Sequence, residues 1–111
     1  MSGEYNVKVQ RKNGVTSSAP VVIYNVTPGS SIRIFPTSAG TANVYSSGSP
    51  QNLIAADITA GNSAVTGNTN ARWSAWGAGA VTADTQLSAI VPQMAVALVV
   101  TSGTWSIEVT Q

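Results

Sequence analysis

Apolar and polar residues alternate with a period of two along most of this chain, the pattern of strands with one buried face. Tyr5, Val7 and Val9 alternate with Asn6, Lys8 and Gln10. The run Val21-Val22-Ile23-Tyr24-Asn25-Val26 is rich in β-branched residues, and Ile32 and Ile34 alternate with Ser31, Arg33 and Phe35. Between these runs, Thr27-Pro28-Gly29-Ser30 places Pro and Gly for a type II turn. The pair is therefore expected to form a hairpin, with Pro36 closing its second strand. Asn-Gly in Arg11-Lys12-Asn13-Gly14 predicts a second tight turn. Further strands are expected over Thr41–Ser46, Met94–Thr101 and Trp105–Val109, with a turn at Ser102-Gly103. In the segment from Met94 to Val100, Met94, Val96, Leu98 and Val100 line one face and Ala95, Ala97 and Val99 the other. A strand apolar on both faces is either buried on both sides or meets another subunit.

Two stretches depart from this alternation. Leu53 to Ile58 is compatible with a helical turn or a strand, being short and flanked by breakers. Thr59 to Asn70 is rich in Gly, Ser, Thr and Asn and is expected to be the longest loop. About seven short strands punctuated by turns predict an all-β fold, a small antiparallel β-sandwich or jelly-roll. The 111 residues are expected to form a single β domain, with residues 1–20 as a candidate N-terminal arm.

Composition narrows the chemistry. The chain has no Cys and no His. Disulfides, thiolate metal sites and His-based acid–base catalysis are excluded by that alone. Charged residues make up 8% of the chain, against about 25% in ordinary soluble domains. Ser, Thr, Asn and Gln supply the polarity instead, which suits a surface destined for cover, because neutral polar groups are easier to desolvate than charges. Five basic residues scattered along the chain do not form the stripe that nucleic acid requires. Met1-Ser2-Gly3-Glu4-Tyr5 lacks the basic segment and apolar run of a signal peptide. The longest apolar run falls far short of the ~20 residues that span a bilayer. No membrane partner is expected.

Few side chains remain as candidates for chemistry. Of the carboxylates, Glu4 lies near the terminus and Glu108 on the outward face of the last strand, which leaves Asp57 and Asp84 as the pair able to meet. With no His, Cys or nearby Lys to complete a device, the expectation is no enzyme, no catalytic residue, no metal site and no cofactor. Asp57 beside the Asn62–Asn70 loop is the candidate for calcium, but Asn-rich loops exist chiefly for turn chemistry. Trp73, Trp76 and Trp105 admit a carbohydrate platform, though Trp is also the largest apolar anchor for a small core. Trp105 alternates with Ile107 and Val109 and is expected in the core. Trp73 and Trp76 are expected to face opposite sides, one of them toward solvent or a partner. Lys8, Arg11 and Lys12 form a basic cluster, either a solvated turn or an arm against an acidic surface.

Four segments also carry a family resemblance. They are Val26-Thr27-Pro28-Gly29-Ser30-Ser31-Ile32-Arg33-Ile34, then Ser38-Ala39-Gly40-Thr41-Ala42-Asn43-Val44, then Trp73-Ser74-Ala75-Trp76-Gly77-Ala78-Gly79, and the closing stretch from Val96 to Val109. Together they resemble small virion proteins of tailed bacteriophages, of the capsid decoration (cement) type. The resemblance implies a sandwich or jelly-roll that assembles as a homo-trimer on the major capsid protein and stabilises the shell. It implies location in the virion after assembly in the host cytoplasm. The alternative it leaves open is a fibre- or tail-associated receptor- or carbohydrate-binding module. Residues 1–20 lie outside the resemblance.

Overall fold

The structure, a computed structural model, describes residues 8–89 and 92–111. Its strands are β1 (Val9–Val15), β2 (Val21–Val26), β3 (Ser31–Ser47), β4 (Ser74–Val81), β5 (Thr85–Ser88) and β6 (Gln93–Thr110). Two helices, α1 (Gln51–Ala60) and α2 (Asn62–Thr66), stand between β3 and β4. All described strand pairings are antiparallel and belong to one sheet.

The sheet is organised by two long strands. β3 and β6, 17 and 18 residues, pair along their whole length, from Ser31 opposite Thr110 to Ser47 opposite Ala95. A straight strand as long as β6 would reach about 56 Å at about 3.3 Å per residue. The greatest extent of the molecule is 48 Å, so the long strands bend. They bend where the register shifts, between Pro36 and Ala42 of β3 and opposite Ser102 to Trp105 of β6. There the backbones close on each other. A Cβ on Gly103 would sit 2.6 Å from the Ala39 carbonyl oxygen, and one on Gly40 would overlap the Ser102 carbonyl. Gly103 also has φ +78°, a left-handed value that Gly adopts without strain.

The bend divides the sheet into the two layers of a sandwich of jelly-roll type. One layer runs β1, the end of β6, the start of β3, then β5. The other runs β2, the start of β6, the end of β3, then β4. Their inner faces share one core, in which Ile32, Ile34, Ile107 and Val109 come from the first layer and Ile23, Val44, Val96 and Leu98 from the second. Trp105, fully buried, fills the region of the bend. The all-β antiparallel fold class is thus as expected.

Local signals were placed differently by the long strands. Thr27–Ser30 does make a turn, with Ser30 N–H donating to the Thr27 carbonyl at 3.2 Å and Gly29 at φ +87°. It does not close a hairpin: β2 pairs with β6, while the start of β3 pairs with β5 and the far end of β6. The turn carries the chain from one layer to the other, and Gly29 N–H donates to the Ala89 carbonyl instead. Pro36 does not end its strand, because it falls at the bend, where ladder hydrogen bonds are already interrupted. Asn13-Gly14 lies within β1 as a bulge rather than a turn, with Gly14 at φ +67° and the register to β6 shifting between Lys12 and Val15. Ser102-Gly103 likewise lies inside β6. Residues 9–15 of the stretch read as an N-terminal arm are paired in the sheet, whereas Tyr5 and Val7 fall outside the described residues.

The helices are the largest departure. The segment Thr59–Asn70 is not one loop: α1 reaches Ala60, and α2 follows after Gly61 at φ +114°. Pro50 at the N-cap of α1 has no N–H of its own to satisfy, its carbonyl accepts the N–H groups of Leu53 and Ile54, and its φ of −57° suits the start of a helix. Leu53, Ile54, Asp57 and Ile58 form the inward stripe of α1, and Ala64 and Val65 that of α2. Of these, Leu53, Ile54, Ile58 and Val65 pack on the outer face of the second layer, in one cluster with Ala95, Ala97 and Val99 of β6. Of the two explanations for a strand apolar on both faces, cover by the chain's own helices is the one observed.

Candidate functional site

The most unusual group in the molecule is Asp57, a fully buried carboxylate on the inward stripe of α1. Its oxygens are surrounded by donors from the segment after α2. The amide N–H of Ala71 donates to Oδ2 at 2.8 Å, and the Trp73 indole Nε1–H to the same oxygen at 2.9 Å. Asn70 donates to Oδ1 from both its backbone N–H, at 3.1 Å, and its Nδ2, at 2.9 Å. Burial raises the carboxyl pKa. The bonds from Ala71, Trp73 and Asn70 outweigh burial and hold it below the ordinary carboxylate range. Asp57 is therefore an ionised acceptor saturated by neutral donors.

The surrounding segment is held as firmly. Asn68, at φ +53°, accepts the Trp73 N–H on its Oδ1, and Ser49 Oγ accepts the Arg72 N–H at 2.9 Å. Asn62 Nδ2 donates to the carbonyls of Ser17 and Val100, at 3.0 and 3.3 Å, fastening α2 to the sheet. Asp57 thus pins the helical cap to the chain leading into β4. With both oxygens occupied by N–H donors, it offers no lone-pair cluster to calcium. Among the described residues, no three Asp or Glu side chains gather into a metal-binding group.

Asp57 and Asp84 are not brought together as an acid–base pair. Asp57 lies beneath the cap of one layer, whereas Asp84 precedes β5 of the other and binds Arg33 through two bonds of 3.0 and 2.8 Å. The hydrogen bond from Arg33 and its charge keep the Asp84 carboxyl below its ordinary range, and Asp84 raises the Arg33 pKa.

The tryptophans separate as their spacing requires. Trp76 faces inward, opposite Val44, and is half-buried against the main core. Trp73 faces the helical cap and is 5% exposed. The sequence leaves open which of the two faces solvent or a partner; Trp73 does not, because the Asp57 carboxylate draws its indole N–H inward. A sugar platform built on Trp73 has no accessible indole face.

The basic cluster is partly neutralised within the chain. Arg11 pairs with Glu108 through Nε, at 2.8 Å, and through Nη2. Lys8 and Lys12 are exposed, and Lys8 exchanges backbone hydrogen bonds with Gln111. Arg11, Glu108, Arg33 and Asp84 line an open hollow of about 290 Å³ with Phe35, on the outer side of the layer that the helices leave bare. Sequence reasoning missed this grouping. Its signal was present only in part, as the outward parity of Arg33 and Glu108 on their strands.

No family model and no curated protein matches the chain. Two solved structures are similar to it over most of their length. One is a de novo designed double-stranded beta-helix solved by solution NMR, 9% identical, with 94% of this chain and 99% of that chain covered and a TM-score of 0.41. The other is a chain of the acidic stable capsid structure of Helicobacter pylori bacteriophage KHP30, 14% identical, with 93% and 90% covered and a TM-score of 0.27. At these scores both likenesses are loose.

Proposed function

We propose that this chain is a non-enzymatic structural protein of a bacteriophage virion, which assembles as a homo-trimer on the major capsid protein and stabilises the shell. The observation that carries the proposal is the state of its charges. Arg11 and Arg33 are paired with Glu108 and Asp84, and Asp57 is buried and saturated. Lys8, Lys12 and Arg72 are the remaining charges among the described residues. Most of the surface is then neutral and polar, and covering it with another protein desolvates few ions. A stable interface buries on the order of 1,600 Å² in total, and repetition around a symmetry axis multiplies a modest contact.

The same geometry supports a non-catalytic role, since the one buried acid among the described residues serves as a structural pin. The sequence resemblance to capsid decoration proteins supports the location. The fibre-tip alternative loses support at Trp73, which is buried. Particles lacking the protein provide the test. Purified protein added back is expected to restore their resistance to heat, and electron cryomicroscopy is expected to show it at repeated positions outside the shell. A protein that is monomeric by light scattering and leaves such particles bare would overturn the proposal.

A further inference from the structure

The two layers of the sandwich differ on their outer sides. The helical cap covers one, and the other presents β1, the end of β6, the start of β3 and β5 without a helix over it among the described residues. On that bare side the register aligns Arg11 with Glu108, Glu108 with Arg33, and Arg33 with Gln86. Asp84, beside the start of β5, takes the bidentate contact of Arg33. Across the strands the charges therefore alternate: Arg11 positive, Glu108 negative, Arg33 positive, Asp84 negative. In a chain that is 8% charged, this row holds four of the nine charged side chains. Val9, the one large apolar side chain exposed among the described residues at 54%, lies on the same side, opposite Thr110. Ser31 and Ser88 continue that neighbouring row, and half-buried Phe35 borders the charges on the other side.

We infer that this face pairs with the same face of a second copy of the chain about a two-fold axis. An alternating row with an even number of charges is complementary to itself when reversed. A two-fold axis lying in the interface and perpendicular to the row sets Arg11 of one copy against Asp84 of the other, and Glu108 against Arg33. Every cross-contact then joins opposite signs, as an isologous interface requires. The in-chain pairs leave capacity for this. Both Arg11 bonds converge on Oε2 of Glu108, so Oε1 remains an acceptor. Arg33 spends Nε and Nη2 on Asp84, so the Nη1 donors remain. A polyanion laid on this row would meet Glu108 and Asp84, and a cationic partner would meet both arginines. A copy of the chain meets neither conflict. Threonine, serine and Val9 around the row are easily desolvated, as the rim of such a contact demands.

The inference concerns the purified protein and needs no capsid, so its outcome is separable from that of shell binding. Sedimentation equilibrium is expected to show a concentration-dependent doubling of mass, which takes the proposed trimer to a hexamer through a face separate from the trimer contact, or a monomer to a dimer where the trimer contact does not form. Association should weaken as salt rises from about 0.1 M to 1 M, where the Debye length shrinks from about 10 Å to about 3 Å. Arg33→Glu alone and Glu108→Arg alone each place like charges in contact, and each should weaken self-association about tenfold or more. An equimolar mixture of these two variants should recover it, because every cross-contact is again between opposite signs. Circular dichroism establishes that each variant is folded. If one is not, Arg11→Glu mixed with Asp84→Arg makes the same test at the ends of the row. Absence of association, association untouched by either reversal, or mixtures no stronger than the single variants would overturn the inference.

Discussion

Replacing Asp57 by alanine removes the acceptor on which the helical cap converges. The loss strands the Ala71 amide and the Trp73 indole N–H in a site that is closed to solvent at both residues. Each buried donor left without a partner costs about 1–3 kcal/mol, so the pair amounts to about 2–6 kcal/mol. Asn70 is exposed, and its donors can turn to water, so they add little. Small domains are stable by about 5–15 kcal/mol, and Asp57→Ala is therefore expected to remove a large share of the total. Urea unfolding followed by far-ultraviolet circular dichroism measures it as a fall in the midpoint. Hydrogen exchange locates it: α1, α2 and the segment from Asn68 to Trp73 should lose protection first, while β3 and β6 keep theirs. A variant within about 0.5 kcal/mol of the parent would refute the view that this carboxylate pins the cap.

The same site sets an acid limb. The folded state holds the Asp57 carboxyl below its ordinary range, so unfolding takes up a proton in acid. The stabilisation from this group is complete above the unfolded value, about pH 4. It is lost as pH falls through the lower, folded value. Asp57→Asn keeps the shape and abolishes the titration, so its stability at neutral pH should fall, and its remaining acid sensitivity should be shallower than the parent's.

Other expectations concern the bend and the core. Gly40→Ala drives a methyl into the Ser102 carbonyl, and Gly103→Ala combines a 2.6 Å approach to the Ala39 oxygen with φ +78°. Each should cost about 3 kcal/mol or more in thermal or urea unfolding, and a neutral result would mean that the strands cross less tightly. Trp105→Ala empties the bend region of a fully buried side chain and should cost about 3–5 kcal/mol by the same measurements. Asn25 holds φ +58°. Asn25→Val should therefore destabilise by about 1–2 kcal/mol, whereas Asn25→Gly should be close to neutral, as differential scanning calorimetry can decide.

The strands were legible because their period survives folding intact. Ile23, Ile32, Ile34, Ile107 and Val109 all enter the core that their alternation assigns them. Trp105 does so too. The helices were hidden by their brevity and flanking breakers, and α1 also by one residue. Leu53, Ile54, Asp57 and Ile58 have the spacing of an inward helical stripe, but an aspartate in that stripe breaks the apolar period on which recognition depends. The substitution works only because Ala71 and Trp73, 14 and 16 residues further on, supply the donors. No local pattern announces that supply. Which of Trp73 and Trp76 would be buried stayed open for the reciprocal reason, since the burial of Trp73 depends on a carboxylate that its neighbours do not contain.

Turn signals fared differently, and the difference is physical. Asn13-Gly14, Thr27–Ser30 and Ser102-Gly103 each take the positive φ that their glycines favour. Local chemistry thus determined the backbone conformation at all three. It did not determine what the chain does afterwards, because a bulge, an interlayer crossing and a hairpin reversal all begin from similar dihedrals. The choice lies with the partner strand, and here β6 is long enough to pair with β1, β2 and β3. The charged row follows the same logic. Parity alone turns Arg33 and Glu108 outward, but only the register along β6 brings Arg11 to Glu108, 97 residues away, and sets Arg33 on its other side. A face that presents alternating charges in a fixed order is therefore a product of topology. Disturbing the β3–β6 register, for example through Gly40→Ala, should disorder the row and weaken self-association without changing any of its four charges.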